Sequence, residues 1–177
     1  MNFTVVNLQF ALQPGFHESI QGDYAHICVV SHDVENFTIP INKEFNKGLL
    51  FMRFDDIGYQ DDDNMKADYS HRTDEPIGIS DKQAEDIIIF MEGAVRNGIN
   101  DILINCEAGI SRSPGIAVAL NQLYNNEYGE QNIQSIHLFG MKHANIQVRD
   151  KILQAHSRLY ESGILENLRK TEDNTNV

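Results

Sequence analysis

The sequence contains few cysteines and few basic residues. Its two cysteines, Cys28 and Cys106, are too few for the disulfide framework that stabilises small secreted domains. We therefore expect a protein of the reducing cytoplasm. Fourteen Lys and Arg face 26 Asp and Glu, which gives a net charge of −12. This acidic balance argues against a general basic surface for nucleic acid or for an anionic membrane, so an anionic substrate has to be bound locally.

Long apolar runs and targeting signals are also missing. No stretch approaches the roughly 18 apolar residues that a transmembrane helix needs. The N-terminus lacks the basic segment and the apolar core of a secretory signal peptide. We therefore predict a cytoplasmic protein without a membrane partner. A length of 177 residues is that of one domain. We place the domain at residues 1–168 and expect a flexible tail at 169–177.

The hydrophobic pattern alternates between strands and helices. Short apolar or β-branched runs predict strands at residues 3–6, 26–31, 49–54 and 101–105. A capping box at residues 80–83 begins the clearest helix, which Gly98 ends. Ser113 and Pro114 begin a second helix, and a third helical region is predicted over residues 131–159 with a break near Gly140. This order predicts an α/β fold with a central, mostly parallel sheet flanked by helices.

The loop between the fourth strand and the second helix carries the chemistry. Five residues separate Cys106 from Arg112, and Gly109 permits a positive φ or a close backbone approach. Such a loop can curl so that its backbone N–H groups hold a tetrahedral dianion. The helix N-terminus that follows stabilises both a bound anion and an ionised thiol. The residues predicted to bind the phosphate are Glu107, Ala108, Gly109, Ile110, Ser111 and Arg112.

Three residues of this segment have predicted catalytic roles. Cys106 is the nucleophile, and it attacks as a thiolate. The guanidinium of Arg112 can hold two phosphoryl oxygens at once and stabilise the charge of the transition state. The hydroxyl of Ser113 can donate to the sulfur when a phospho-cysteine breaks down.

Residues 106–113 resemble the phosphate-binding signature of the cysteine-dependent protein tyrosine phosphatase superfamily. The resemblance is closest to the small dual-specificity-like branch of bacteria and phages, and in the order of elements it covers about residues 25–159. It implies a phosphotyrosine-phosphatase-like fold and the hydrolysis of phosphomonoesters through a phospho-cysteine, with no metal and no cofactor. The chain departs from the family at Asn105, where members usually carry His.

The proton donor is predicted on the third strand. A general acid has to protonate the leaving oxygen, and the strand ends in two carboxylates, Asp55 and Asp56. The resemblance implies Asp56, because the family's alternation of apolar residues before the acid falls on Met52, Phe54 and Asp56. Asp55 is the second candidate.

Other interpretations remain open from the sequence. A catalytically idle module that recognises phosphorylated partners needs the same phosphate-binding loop. A sulfurtransferase is disfavoured, because those loops resemble a pattern with Arg directly after the Cys, where this chain has Glu107. The expected substrate is a phosphorylated protein or peptide, and nothing in the sequence indicates the oligomeric state. The polar segment 58–79 has three adjacent acids, but they lack the alternation of a calcium loop, so no metal site is predicted.

Overall fold

A five-stranded parallel sheet forms the centre of the protein. The computed structural model describes residues 1–35, 37–57, 74–127, 133–135 and 143–170. The strands are β1 (Asn2–Asn7), β2 (Tyr24–Val30), β3 (Asn46–Arg53), β4 (Asp101–Cys106) and β5 (Ile133–Ser135). Their spatial order is β3-β2-β4-β1-β5, and every neighbouring pair is parallel. The predicted α/β fold with a central parallel sheet is therefore confirmed.

Helices cover both faces of this sheet. The described helices are α1 (Leu8–Ala11), α2 (Pro14–Ser19), α3 (Asp81–Arg96), α4 (Arg112–Asn125), α5 (Ile146–Glu161) and α6 (Ile164–Lys170). The apolar side chains of α3, α4, α5 and α6 join Ile27 of β2 and Ile104 of β4 in the main core. On the opposite face, Ala11 of α1 packs with Tyr24 and Leu103.

Local sequence explains why α3 begins and ends where it does. The hydroxyl of Ser80 accepts a hydrogen bond from the backbone N–H of Gln83, and the Gln83 side chain accepts one from the backbone N–H of Ser80. This reciprocal pair satisfies two N–H groups that the first turn leaves open. At the other end Gly98 adopts a φ of 70°, which a residue with a side chain rarely does. Both signals were read correctly from the sequence.

The prediction for residues 131–159 is wrong in its first part. Ile133–Ser135 forms β5, and it pairs in parallel with β1 at the edge of the sheet. The helix of this region begins only at Ile146. A run of three residues is too short for its periodicity to distinguish a strand from a helix, so the open edge of β1 decides. The short α1 and α2 were not predicted, and α6 continues to Lys170 across the predicted domain boundary. Residues 171–177 lie outside the described part of the chain.

Within the described ranges, no helix combines the length and the apolar character needed to cross a membrane.

Candidate active site

The site lies at the carboxyl edge of the sheet, where the parallel strands β1 to β4 all end. Cys106 is the last residue of β4, and α4 begins at Arg112. The connecting loop turns with Gly109 at a φ of 70°, as its glycine predicted. Ligands of open parallel sheets bind outside this edge, because helix N-termini and loops converge there.

Cys106 lies at the base of the loop. Its side chain is only 2% exposed, and the hydroxyl of Ser113 donates a hydrogen bond to its sulfur over 3.1 Å. Ser113 stands in the first turn of α4, so the positive end of the helix dipole faces the same region. The donor and the dipole both stabilise negative charge on the sulfur.

Arg112 is held in place by three groups at the edge of the sheet. Its Nη1 donates to the carbonyl oxygen of Phe54 over 2.7 Å and to the hydroxyl of Ser31 over 3.1 Å. Its Nη2 pairs with the carboxylate of Glu107. The residue is 4% exposed, and its Nε finds no acceptor within the described residues. Three anchors therefore fix the guanidinium and leave one buried donor for a ligand.

The loop backbone adds further donors. The N–H groups of residues 108–112 donate no hydrogen bond to any described part of the protein. Unpartnered backbone donors are uncommon in native structures, and consecutive ones in a turn form a binding site for anions. Together with the Nε of Arg112 they form a set of donors that suits a tetrahedral oxyanion.

The side chain of Glu107 makes contacts inside the protein. Besides the pair with Arg112, its carboxylate accepts a hydrogen bond from the backbone N–H of Ser31 over 3.1 Å, and its carbonyl accepts one from Leu8 over 3.1 Å. Glu107 was predicted only as a member of the phosphate loop. The structure shows in addition that it connects the loop to β2 and to α1.

Asp56 lies against the phosphate loop. Its Oδ1 accepts a hydrogen bond from the hydroxyl of Ser111 over 2.7 Å and another from the side-chain amide of Asn145 over 2.8 Å. A residue from the end of β3 thus lies at the loop between β4 and α4. The partner Ser111 was itself predicted as part of the loop.

Asp55 points elsewhere. It is 1% exposed, and its carboxylate accepts hydrogen bonds from the backbone N–H groups of His32 and Ile77, over 3.2 and 2.8 Å. The imidazole of His32 lies 3.4 Å from the same carboxylate. This acid holds together two segments that flank the site.

Asn145 has a larger role than its sequence signal indicates. Its Oδ1 caps α5 by accepting from the backbone N–H of Val148. In addition its Nδ2 donates to Asp56 and to the carbonyl of Ile57, and its backbone N–H donates to the carbonyl of Ser111. No local pattern could reveal these contacts, because an N-cap explains an asparagine before a helix completely.

Gly115 allows this arrangement. A Cβ at Gly115 would lie 2.6 Å from the carbonyl oxygen of Asn145 and 3.2 Å from the Cβ of Val148. Real side chains do not come so close to a backbone oxygen, so α4 can approach the start of α5 only with glycine here. The sequence alone does not predict this role of Gly115, because a glycine inside a helix ordinarily only lowers the stability of the helix.

Cys28 is separated from the site by the sheet itself. In the pairing of β2 with β4 it is opposite Asn105, so its side chain and that of Cys106 project to opposite faces. A bridge between them would require the backbone to move. Burial raises the pKa of the Cys28 thiol to about 12. A thiol buried in this way is a poor nucleophile.

The polar segment and metal binding were the remaining subjects of the sequence predictions. The polar segment from Gly58 onward falls mainly on residues 58–73, which lie outside the described residues. In the ranges that the structure describes, no three His, Cys, Asp or Glu side chains form a group that could hold a metal ion.

Comparisons with known proteins find a likeness among solved structures. No protein-family model matches the chain, and no curated protein matches it. Among solved structures, the chain is similar to the human tyrosine phosphatase-like serine/threonine/tyrosine-interacting protein, with a TM-score of 0.48 and 16% sequence identity. The alignment covers 96% of this chain and 89% of that chain.

Proposed function

We propose that the protein is a cysteine-dependent phosphomonoester hydrolase that acts on phosphorylated proteins or peptides. One observation carries the proposal, namely a set of unpartnered donors around a buried nucleophile. The N–H groups of residues 108–112 and the Nε of Arg112 have no acceptor in the described structure. A phosphoryl group supplies oxygens for all of them, and it places phosphorus next to the sulfur of Cys106.

The first step transfers the phosphoryl group to the enzyme. The thiolate of Cys106 attacks phosphorus, so an S–P bond forms while the bond from phosphorus to the leaving oxygen breaks. Asp56 gives its proton to that oxygen. The hydroxyl of Ser111 and the side-chain amide of Asn145 hold Oδ1 of this carboxyl group beside the phosphate loop. Arg112 and the loop amides stabilise the charge on the equatorial oxygens.

The second step hydrolyses the intermediate. Water attacks phosphorus and gives a proton to the carboxylate of Asp56, and the S–P bond breaks as inorganic phosphate forms. The sulfur leaves as a thiolate. The hydroxyl of Ser113, 3.1 Å from the sulfur, donates to it and makes it a better leaving group.

A second candidate function is recognition of phosphorylated partners without turnover. It is favoured by the contacts of the two charged residues that catalysis has to use. Asp56 is hydrogen-bonded to Ser111 and Asn145, and Arg112 is paired with Glu107. A reader needs this pre-formed loop and no mobile acid. It does not need a thiol, and for that reason we place hydrolysis first.

The test is phosphate release from a small aryl phosphate and from phosphotyrosine and phosphoserine peptides, measured from mildly acidic to mildly basic pH. Hydrolysis predicts that the wild type turns over, that Cys106→Ser is inactive, and that Arg112→Lys loses at least about a hundredfold in kcat/KM. Cys28→Ala is the matched control and retains activity. A rapid quench should show one phosphoryl group on Cys106 in the Asp56→Asn variant.

The same measurements can also contradict hydrolysis. If the wild type releases no phosphate from any of these substrates, hydrolysis is wrong. Binding of a phosphopeptide by that inactive protein, weakened by Arg112→Lys and unchanged in Cys28→Ala, would then establish the reader.

A further inference from the structure

A buried polar pair lies on the face of the sheet opposite to the nucleophile. The Nε2 of His26 is 2.7 Å from the Oδ1 of Asn105, and both side chains are fully buried. His26 belongs to β2 and Asn105 to β4, and 79 positions separate them in the sequence. Asn105 directly precedes Cys106, so this contact is one peptide bond away from the sulfur-bearing residue.

The direction of the hydrogen bond follows from the protonation state of the ring. Burial lowers the pKa of His26 to about 4, so the ring is neutral at physiological pH. An amide oxygen can only accept, and therefore Nε2–H of His26 donates to Asn105. The titratable groups near the ring are His17, whose ring centroid is 5.6 Å away, and on the same strand Tyr24 and Cys28.

The buried pair of His26 and Asn105 lowers the stability of the folded protein compared with apolar side chains at the same positions. Nδ1 of His26 has no hydrogen-bond partner in the described structure, and Nδ2 of Asn105 has beside it only the sulfur of Cys28, a weak acceptor. Each unpartnered buried polar atom costs about 1–3 kcal/mol, whereas apolar side chains at both positions would cost nothing of this kind. Stability alone therefore does not account for the pair, and buried polar groups of this sort specify one arrangement of their surroundings.

We propose that His26 is a positioning residue for the nucleophile and acts through Asn105. The hydrogen bond fixes the last side chain of β4 before the strand turns into the phosphate loop. Two other hydrogen bonds, from the backbone N–H groups of Leu8 and Ser31, hold Glu107 at the start of the loop. The side chain of Asn105, one residue before the sulfur, is held by His26 and lies beside the thiol of Cys28. This inference rests on the proposed function for its catalytic consequence, but the position of the sulfur can be measured without turnover.

The experiment compares His26→Leu with His17→Leu. His17 is a second buried histidine on the same face, it packs against the ring of His26, and it makes no hydrogen bond to Asn105. The His17→Leu variant therefore measures how much a loss of packing around His26 alone changes the reactivity of Cys106. The first readout is the rate of Cys106 alkylation by iodoacetamide as a function of pH, and the second is kcat and KM with an aryl phosphate. Thermal unfolding measures the stability of each variant.

We expect His26→Leu to displace the pH midpoint of alkylation upward and to reduce kcat on the order of tenfold to a hundredfold with KM little changed, since small misplacements of reacting groups have effects of this size. His17→Leu should keep the wild-type midpoint at comparable loss of stability. His26→Gln restores a donor toward Asn105 and should recover most of the reactivity. If His26→Leu does not fold, Asn105→Ser gives the same readout, because a serine hydroxyl is too short to reach His26.

The proposal is overturned if the two histidine variants change Cys106 reactivity equally, or if His26→Gln recovers stability without reactivity. The alkylation readout separates this result from the fate of the proposed function. A protein that never hydrolyses phosphate but shows the displaced midpoint only in His26→Leu keeps the positioning role and loses the phosphatase.

Discussion

The side-chain amide of Asn145 donates to Oδ1 of Asp56 over 2.8 Å, and this contact joins residues that stand 89 positions apart. It brings the end of β3 to the start of α5. Because the backbone N–H of Asn145 also donates to the carbonyl of Ser111, one residue holds the predicted acid beside the predicted phosphate loop. The position of Asp56 therefore depends on a helix cap.

Asn145→Ala should reduce turnover far more than a lost cap explains. Removing an N-cap side chain costs about 1 kcal/mol of stability, and here it also leaves Asp56 without one of its donors. We expect kcat to fall on the order of tenfold to a hundredfold. Ser80→Ala is the matched control, since it removes the N-cap of α3, which accepts from Gln83, and none of the hydrogen bonds given for Asp56. Equal turnover in the two variants would show that Asn145 only caps its helix.

The two neighbouring acids should separate into a chemical and a structural role. Asp56→Asn should lower kcat by about 10²–10⁴ and flatten the basic limb of the pH profile, because that limb reports a general acid that must be protonated. Asp55→Asn should instead lower the free energy of unfolding by about 1–3 kcal/mol, because an amide nitrogen cannot accept from the backbone of His32 and Ile77. Its pH profile should keep the wild-type shape. Steady-state kinetics and urea unfolding of both variants distinguish the roles, and an inverted result would make Asp55 the acid.

Gly115→Ala should disturb the site through a single methyl group. The added Cβ would meet the carbonyl oxygen of Asn145 at 2.6 Å, so α4 and α5 have to separate. Overpacking of this kind costs about 1–3 kcal/mol. We expect a lower melting temperature together with a reduced kcat, because Asn145 also holds Asp56. Gly93→Ala is the control, since nothing lies within 4 Å of a Cβ there. Wild-type kinetics in Gly115→Ala would contradict the link.

The stability of the protein should fall on mild acidification because of His26. Burial lowers its pKa to about 4 in the folded protein, against the ordinary histidine pKa of about 6.5 in the unfolded chain. Between these values the unfolded chain binds a proton that the folded protein does not. The stabilisation is thus complete above about pH 6.5 and is lost as the pH falls toward about 4, by at most about 3 kcal/mol.

Urea unfolding at neutral pH and at about pH 5 checks this expectation in the wild type and in His26→Gln. The variant should lose less free energy of unfolding between the two conditions. Burial also lowers the pKa of His17 and of His156, so a residual slope of the same sign is expected in both proteins. Parallel losses in the two proteins would exclude His26 as a source of the acid sensitivity.

Several features of the protein follow from the sequence alone, because they depend on near neighbours. The capping box at Ser80 and Gln83 works within one turn, and it fixes the start of α3 wherever the helix lies. The spacing from Cys106 to Arg112, with Gly109 between them, likewise determines a loop that can bind an anion. Apolar runs predicted four of the five strands, and their alternation with helices predicted the parallel sheet.

The tertiary structure decided what joins distant elements. Asp55 and Asp56 look alike in the sequence, and the end of β3 turns one into the interior and the other onto Ser111. The strand Ile133–Ser135 forms by pairing with the open edge of β1. A pattern of three residues is too short to predict such a strand from the sequence. The pairing of His26 with Asn105 depends on β2 lying next to β4 in one register. Local chemistry thus determines elements and loops, whereas strand order and register determine which side chains meet, and a one-residue slip would place them on opposite faces.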